Sequence, residues 1–244
     1  MRVIARIDIK NDFVIKGINL EGLRKVGKPM DLIQNYYKEG ISEILIQDSV
    51  ASLYGRNNLF SFVKEITKEI FIPITLGGGI RSLQDIEDAL NSGADKVSIN
   101  SKALEDPKFL MEASKNFGSS TIVASIEAKK IGDKKWEPYK FCGRERTNLD
   151  LKDWLKNVQD FNCGEILLTS IDNDGTKKGF DFDMLNNFYE SIEKPIILSG
   201  GCGSIDHIKE FFFKYPKEAF ALASVLHYKI LKIKNIKKIF NEKS

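Results

Sequence analysis

Two acidic residues and two glycine clusters stand out along this chain as groups with chemical potential. Asp8 closes a short apolar run, VIARIDI, and Glu127 closes another, TIVASIEA. A pair of carboxyls at the ends of buried strands suits general acid–base work, provided their surroundings push their pKa values apart. Such charges need partners, and Lys10, Lys16 and Lys129 are the nearest lysines in sequence. The glycine clusters are Gly77-Gly78-Gly79 and Ser199-Gly200-Gly201-Cys202-Gly203, and each follows an apolar run and precedes a helical pattern. Glycine lacks Cβ, so it lets backbone N–H groups close on an anion, and a helix N-terminus beyond it adds a favourable dipole. Polar residues after the next apolar runs, Asn100-Ser101 and Ser224, are placed to complete each site. One glycine turn of this kind is weak support for a phosphate site. Two at matching places point to a substrate with a phosphate at each end.

These groups must be held by a scaffold that presents strand ends on one face. Eight short apolar runs supply it: VIARIDI, EILIQ, PITLGGG, KVSIN, TIVASIEA, GEILLTS, PIILSGG and AFALAS. They alternate with amphipathic stretches such as Met30–Glu39 and Leu83–Ser92, with apolar residues at helical spacing. Eight strand–helix alternations in 244 residues predict an α/β fold, a closed (β/α)8 TIM barrel, as one domain over 1–244. The halves also repeat. ARIDIK at 5–10 matches ASIEAK at 124–129, an offset of 119, and LGGGI at 76–80 matches LSGGC at 198–202, an offset of 122. EILIQD at 43–48 and EILLTS at 165–170 are again 122 apart. Strand propensity explains the shared apolar positions but not the shared Glu, Lys and Gly. The expectation is two half-barrels, about 1–118 and 119–244, joined near Phe117–Thr121. By that repeat Asp8 and Glu127 are equivalent and face each other across the mouth.

Composition excludes several classes. Net charge is +3, too small to argue for nucleic acid, and the basic stretch Lys229–Lys243 reads as a helix with a solvated face. No run is long enough to span a membrane and the N-terminus lacks a signal-peptide core, so a cytoplasmic location is expected. The three cysteines, Cys142, Cys163 and Cys202, have no metal-like spacing, and neither metal nor cofactor is expected. Cys202 sits at a strand–turn–helix junction, where nucleophiles occur. A base is missing, however: His207 and His227 lie at no strand end. Cys202 therefore reads as a small filler of its loop, and the chain carries no glutaminase triad of its own.

The motifs IARIDIKND, VIKG, TLGGGI, GADKVSIN, GEILLTSIDNDGTKKG, LSGGCG and LASVLH together resemble the cyclase subunit of imidazole glycerol phosphate synthase, over Arg2 to about Tyr228. The resemblance implies a lyase of histidine biosynthesis, in which ammonia and a bisphosphorylated formimino-carboxamide ribulosyl nucleotide give imidazole glycerol phosphate and aminoimidazole carboxamide ribotide. It implies Asp8 as base and Glu127 as acid, with Lys16 on a mobile loop after the first strand. Gly79, Asn100, Gly175, Gly201 and Ser224 match its phosphate-binding positions, and Ser101, Thr169, Asp174, Ser199 and Gly200 lie in the same motifs. It further implies a heterodimer with a glutaminase, whose ammonia enters the opposite end of the barrel through a ring of four charges: Arg2, Glu43, Lys96 and Glu165. That ring and the long insertion Lys129–Asn148 separate the cyclase from the sister isomerase of the pathway.

One residue departs from the family pattern. The fifth-strand acid is Glu127 where the family carries Asp, and the added methylene moves the carboxyl by roughly 1 Å, enough to cost on the order of a hundredfold in rate. Two other readings stay open on that ground. One is a paralogous ammonia-channelling subunit for acetamidino modification of a surface or flagellar sugar; the other is a subunit that binds phosphate without chemistry. Retention of Asp8 favours the enzyme.

Overall fold

The computed structural model describes residues 1–49, 51 and 59–241. Its twelve strands are β1 (Val3–Lys10), β2 (Phe13–Ile18), β3 (Glu21–Gly27), β4 (Glu43–Asp48), β5 (Ile74–Gly77), β6 (Lys96–Ile99), β7 (Ile122–Gly132), β8 (Lys135–Lys140), β9 (Glu145–Arg146), β10 (Glu165–Ser170), β11 (Ile196–Ser199) and β12 (Ala219–Leu222). Between them run α1 (Pro29–Lys38), α2 (Phe60–Ile66), α3 (Leu83–Asn91), α4 (Ser101–Glu105), α5 (Lys108–Phe117), α6 (Leu151–Asp160), α7 (Phe182–Phe188), α8 (Ile205–Lys214), α9 (Ser224–His227) and α10 (Ile233–Asn241). Strands β1, β4, β5, β6, β7, β10, β11 and β12 pair in parallel in that order, and β12 pairs with β1. That closes the predicted (β/α)8 barrel, and all eight expected strands are its staves.

Period-2 alternation sorts each strand into two faces. Outward residues such as Val3, Ala5, Ile7 and Ile9 of β1 join the main core beneath the helices, together with Ile86 and Ala89 of α3 and Trp154, Leu155 and Val158 of α6. Inward residues fill the lumen. Ile4, Leu45, Val123, Leu167, Ile197, Ala219 and Ala221 form a separate apolar cluster there. One step further along the same strands the inward residues turn polar: Arg6, Gln47, Ser125, Thr169 and Ser199, all buried. The apolar layer is therefore the floor on which the polar one rests.

The halves repeat in backbone geometry as well as in sequence. Helix α3 is capped by Ser82 and α8 by Ser204, each in extended conformation with its side chain accepting from a backbone N–H three residues on. The residue before α4, Asn100, has φ −120 and ψ −83, and the residue before α9, Ala223, has φ −125 and ψ −78. A short 3-10 turn at Ser119–Thr121 occupies the expected junction.

The structure also departs from the sequence-based bounds. Strands β1 and β7 run past Asp8 and Glu127, because each continues into an antiparallel hairpin, β1 with β2 and β7 with β8. The insertion expected at Lys129–Asn148 is that second hairpin, pinned by Glu137, whose carboxylate accepts from Arg146 Nε and Nη2 (3.0 and 2.8 Å) and from Asn148 N (2.6 Å). The C-terminal helix starts at Ile233, later than Lys229.

Truncating Leu167 in the lumen floor removes packing that seven side chains share. Leu167→Ala is expected to lose about 2–5 kcal/mol of stability by chemical denaturation, whereas Phe71→Ala, at a side chain 76% exposed, is expected to stay within about 0.5 kcal/mol.

Candidate active site

Both carboxylates point into the lumen, and the structure surrounds them with charge. Arg6 precedes Asp8 by two residues, so strand parity puts both on the inner face. Its Nε donates to Asp8 Oδ1 (2.9 Å), and its Nη1 donates to Thr169 Oγ1 (3.0 Å) and Ser199 Oγ (3.3 Å). Lys16, on β2, places Nζ 2.5 Å from Asp174 Oδ1 and 3.9 Å from Asp8 Oδ2. Glu127 accepts from Asn100 Nδ2 (3.2 Å), which also donates to Tyr139 O (3.1 Å). Arg6, Asp8, Lys16, Glu127 and Asp174 are each at most 6% exposed.

This cluster corrects the sequence reading of the counter-ions. Lys10 and Lys129 are exposed, and Lys129 lies over the Tyr139 ring instead. The principal partner of Asp8 is Arg6, a residue the motif reading passed over. Its signal was the i, i+2 spacing to Asp8 in a strand that is otherwise apolar. Thr169 is also relocated: it is fully buried and holds Arg6, and it lines neither glycine cradle.

Environment drives the two carboxyls apart. Burial pushes Asp8 up, but the Arg6 and Lys16 charges outweigh it and hold the group below its ordinary value. Burial pushes Glu127 up to about 7; Asp8 and Asp174 add to the rise, and Arg6 offsets part of it. Near neutral pH one carboxyl is therefore ionised, while the other lies close to its titration range. Neither histidine competes for these roles. His207 Nδ1 accepts from Gly203 N (3.1 Å), bracing the second glycine loop. His227 is buried against Tyr36, its Nδ1 2.8 Å from the phenol oxygen, and burial drives its pKa down to about 4. The Cys202 thiol is pushed up to about 12 by burial and is a poor nucleophile, in keeping with a filler.

Two cradles flank the acids. Gly78, Gly79, Asn100, Ser101 and Lys102 line a cavity of about 270 Å³ that Glu127 also borders. Ser199, Gly200, Gly201, Asp174, Gly175 and Ser224 line a narrow cleft on the other side, beside Lys16. That cleft adjoins a larger cavity, about 660 Å³, which shares Lys16, Gly175 and Ser224 with it and is bordered by the basic side chains Arg24, Lys25 and Lys177. Glycine is required where the loops touch other backbone. Gly78 has φ +87, and a Cβ there would lie 2.2 Å from Asp48 O; Gly201 has φ +94, and a Cβ there would lie 1.9 Å from Gly179 O.

A roof covers Asp8. The hairpin β2–β3 docks on the turn after β10, with Asn19 N donating to Asp174 O (2.8 Å) and Asn19 Nδ2 to the Ile171 and Asp172 carbonyls (2.9 and 2.7 Å). Lys16 thus lies on an ordered strand. The small space above Asp8 is walled by Ile15, Leu20 and Leu23 from this hairpin and by Cys142 and Arg144 from the turn between β8 and β9.

At the opposite end the four expected charges do meet. Arg2 Nη1 contacts Glu43 Oε1 (3.0 Å) and Glu165 Oε1 (2.9 Å), and Lys96 Nζ contacts Glu165 Oε1 (3.0 Å). The Arg2–Glu165 pair joins strands that are not neighbours in the barrel, so this arc of charge crosses the lumen entrance. Among the described residues no group of three or more His, Cys, Asp or Glu side chains is placed to hold a metal, and no helix is long and apolar enough to cross a membrane.

The raised Glu127 pKa has a stability consequence. The folded chain keeps a proton that the unfolded chain releases near 4.5, so stability falls as pH rises from about 4.5 through about 7. Asp8, held low, has the opposite sign and costs stability only as pH falls through its folded value. Glu127→Gln is therefore expected to gain roughly 1–3 kcal/mol over the natural chain at pH 8 and little at pH 4.5, measured by denaturant unfolding at both.

Comparison with known proteins agrees with this geometry. The chain is 48% identical to the imidazole glycerol phosphate synthase subunit HisF of Legionella pneumophila, over 84% of this chain and 97% of that protein. It is 44% identical to the protein of the same name from Wolinella succinogenes, over 97% and 93%, and 41% identical to that from Streptococcus mutans, over 99% and 96%. None of these names refers to sugar amidination. The family model described as histidine biosynthesis protein matches residues 2–232. With a barrel, paired inward carboxyls and two glycine cradles already in place, that match settles the assignment: the chain belongs to the histidine biosynthesis protein family.

Proposed function

We propose that the chain is the cyclase subunit of imidazole glycerol phosphate synthase, with Asp8 as base and Glu127 as acid. The observation that carries this is the pair of buried carboxyls held in different protonation states between two glycine cradles. The substrate is the bisphosphorylated formimino-carboxamide ribulosyl nucleotide. One phosphate sits against Gly79, Asn100 and Ser101, and the other against Gly175, Ser199, Gly200, Gly201 and Ser224. Each half-barrel, about 1–118 and 119–244, then supplies one cradle and one carboxyl.

Chemistry follows from the ribulosyl ketone and the formimino carbon. Ammonia adding to the ketone must lose a proton, and the ketone oxygen must gain protons to leave as water. Ring closure on the formimino carbon then expels aminoimidazole carboxamide ribotide, whose nitrogen takes a proton. Asp8 accepts in the first step and Glu127 donates to the leaving groups, and microscopic roles of this kind are worth about 10²–10⁴-fold each. Lys16, between Asp174 and Asp8, closes the β2–β3 hairpin over the site and keeps water out.

The nitrogen source is ammonia from a glutaminase subunit docked at the lower face, with Arg2, Glu43, Lys96 and Glu165 at the entrance. The apolar floor above them passes a neutral molecule more readily than an ammonium ion.

Purified chain with ammonium salt at alkaline pH is expected to convert this nucleotide, and Asp8→Asn to lower turnover by at least about 100-fold. Absence of turnover by the natural chain, or full activity in Asp8→Asn, would overturn the assignment. Lengthening has a signature too: Glu127→Asp is expected to leave KM near its original value while changing kcat. In a reconstituted complex, Arg2→Ala is expected to spare ammonium-driven turnover while altering glutamine-driven turnover. Equal loss of both would place Arg2 in the fold rather than the entrance.

A further inference from the structure

Arg6 is a buried cation that lines neither cradle, although it donates to Ser199 of the second one. It enters the lumen from β1, and its guanidinium reaches past β12 to side chains of β11 and β10. The room comes from β12, whose inward residues are only Ala219 and Ala221. Three bonds, to Asp8, Thr169 and Ser199, use two nitrogens of one planar fork, so the orientation of the charge is fixed as well as its position. Lys16 does not duplicate it. Its Nζ is 2.5 Å from Asp174 and 3.9 Å from Asp8, so it serves Asp174 first.

We propose that Arg6 is a positioning residue that divides the work of the two carboxyls: its oriented charge commits Asp8 to the ionised, proton-accepting role and leaves the proton of the cluster on Glu127. This rests on the acid–base reading above. Charge counting supports it. Three carboxyls, Asp8, Glu127 and Asp174, face two cations, Arg6 and Lys16, in a space nearly closed to water. The cluster is neutral when one carboxyl is protonated. The direct bond from Arg6 to Asp8, and the Lys16 bond to Asp174, leave Glu127 with neutral donors, the Asn100 side-chain amide and the Gly143 backbone N–H. Three charged groups that share the cavity beside Glu127 have partners outside the cluster: Asp48 accepts from Ala51 N, Lys102 pairs with Asp106 and Glu105 with Lys140. His227 behind β1 is uncharged near neutral pH, and burial keeps the Cys142 thiol protonated. Arg144 in the roof is exposed and screened. Gln47 and Ser125 on the neighbouring staves carry no charge.

The test is the pH dependence of ammonium-driven kcat/KM at constant free ammonia, for the natural chain, Arg6→Met, Arg6→Lys and Thr169→Val. Arg6→Met is expected to move the acid limb up by about one pH unit or more and to lower kcat/KM at neutral pH by about tenfold or more. Arg6→Lys restores the charge without the fork and is expected to recover most of the limb shift. Thr169→Val keeps the charge but loosens its tether and is expected to move the limb the same way by less. A lowered plateau with unmoved limbs in Arg6→Met would show a purely structural role and overturn the proposal. Where Arg6→Met fails to fold, unmoved limbs in both Arg6→Gln, which also removes the charge, and Thr169→Val overturn it equally. Carboxyl titration of Asp8 by ¹³C NMR in the natural chain and in Arg6→Met, or in Arg6→Gln where Arg6→Met fails to fold, reads the same interaction without turnover. An unchanged Asp8 titration sinks the Arg6 role alone, whereas an inactive natural chain sinks the acid–base reading.

Discussion

Everything at the mouth of this barrel is arranged around an unequal count of buried charges. Removing ions from water is expensive, and a buried ion pair repays the cost only when its geometry is good and its remaining polar atoms are satisfied. Here Arg6 is satisfied by Asp8, Thr169 and Ser199, and Lys16 by Asp174, with Asp8 within reach. The third carboxyl has no cation of its own. The low-cost solution is to protonate it, and that carboxyl is Glu127. A proton poised near neutrality is thus a consequence of the count, and a proton poised near neutrality is what acid catalysis needs. Charges held this closely without water need surrounding packing that fixes their geometry.

That packing is supplied from three directions. Below, the apolar floor keeps the cluster dry. To the sides, glycine loops bring backbone so close that a Cβ would collide at Gly78 and Gly201. Above, two hairpins grow out of β1 and β7, the same strands that carry Asp8 and Glu127. Extending each of these strands into its own cover means that the roof and the carboxyl share a backbone. A shift in one is felt in the other with no intermediary.

Much of this was legible from residues alone. The eight staves, the half-barrel repeat and both cradles follow from period-2 apolar runs and from matched Gly, Glu and Lys positions; the four charges at the lower face were implied by the family resemblance alone. What escaped was cross-strand company. Nothing in the order of residues says that Thr169 meets Arg6, because 163 positions separate them and only barrel closure brings β10 opposite β1. The same limit made Lys10 and Lys129 look like counter-ions: they are close to the acids in sequence and share their strand parity, but they lie in the hairpin extensions beyond the barrel, which carry them into solvent. Arg6 itself was within reach, since an arginine at an inward position two residues from an inward aspartate requires explanation wherever a strand is otherwise apolar.

The repeat also shows where the halves had to diverge. At the residue before α4 stands Asn100, and at the matching place before α9 stands Ala223, with nearly the same backbone angles. Asn100 reaches Glu127 with its amide; Ala223 reaches nothing comparable. On β1 the inward residue before the acid is Arg6, and on β7 it is Ser125, again at equivalent places. Both differences work in one direction. Asp8 receives a full positive charge from its own strand, while Glu127 receives a neutral amide from its neighbour. A symmetric pair of carboxyls at this depth would share one proton without preference, as like charges in a common site do. Two substitutions between otherwise parallel halves remove that degeneracy. The added methylene of Glu127 is consistent with the rest: it lets the carboxyl that is not anchored by a cation extend toward the cavity it borders.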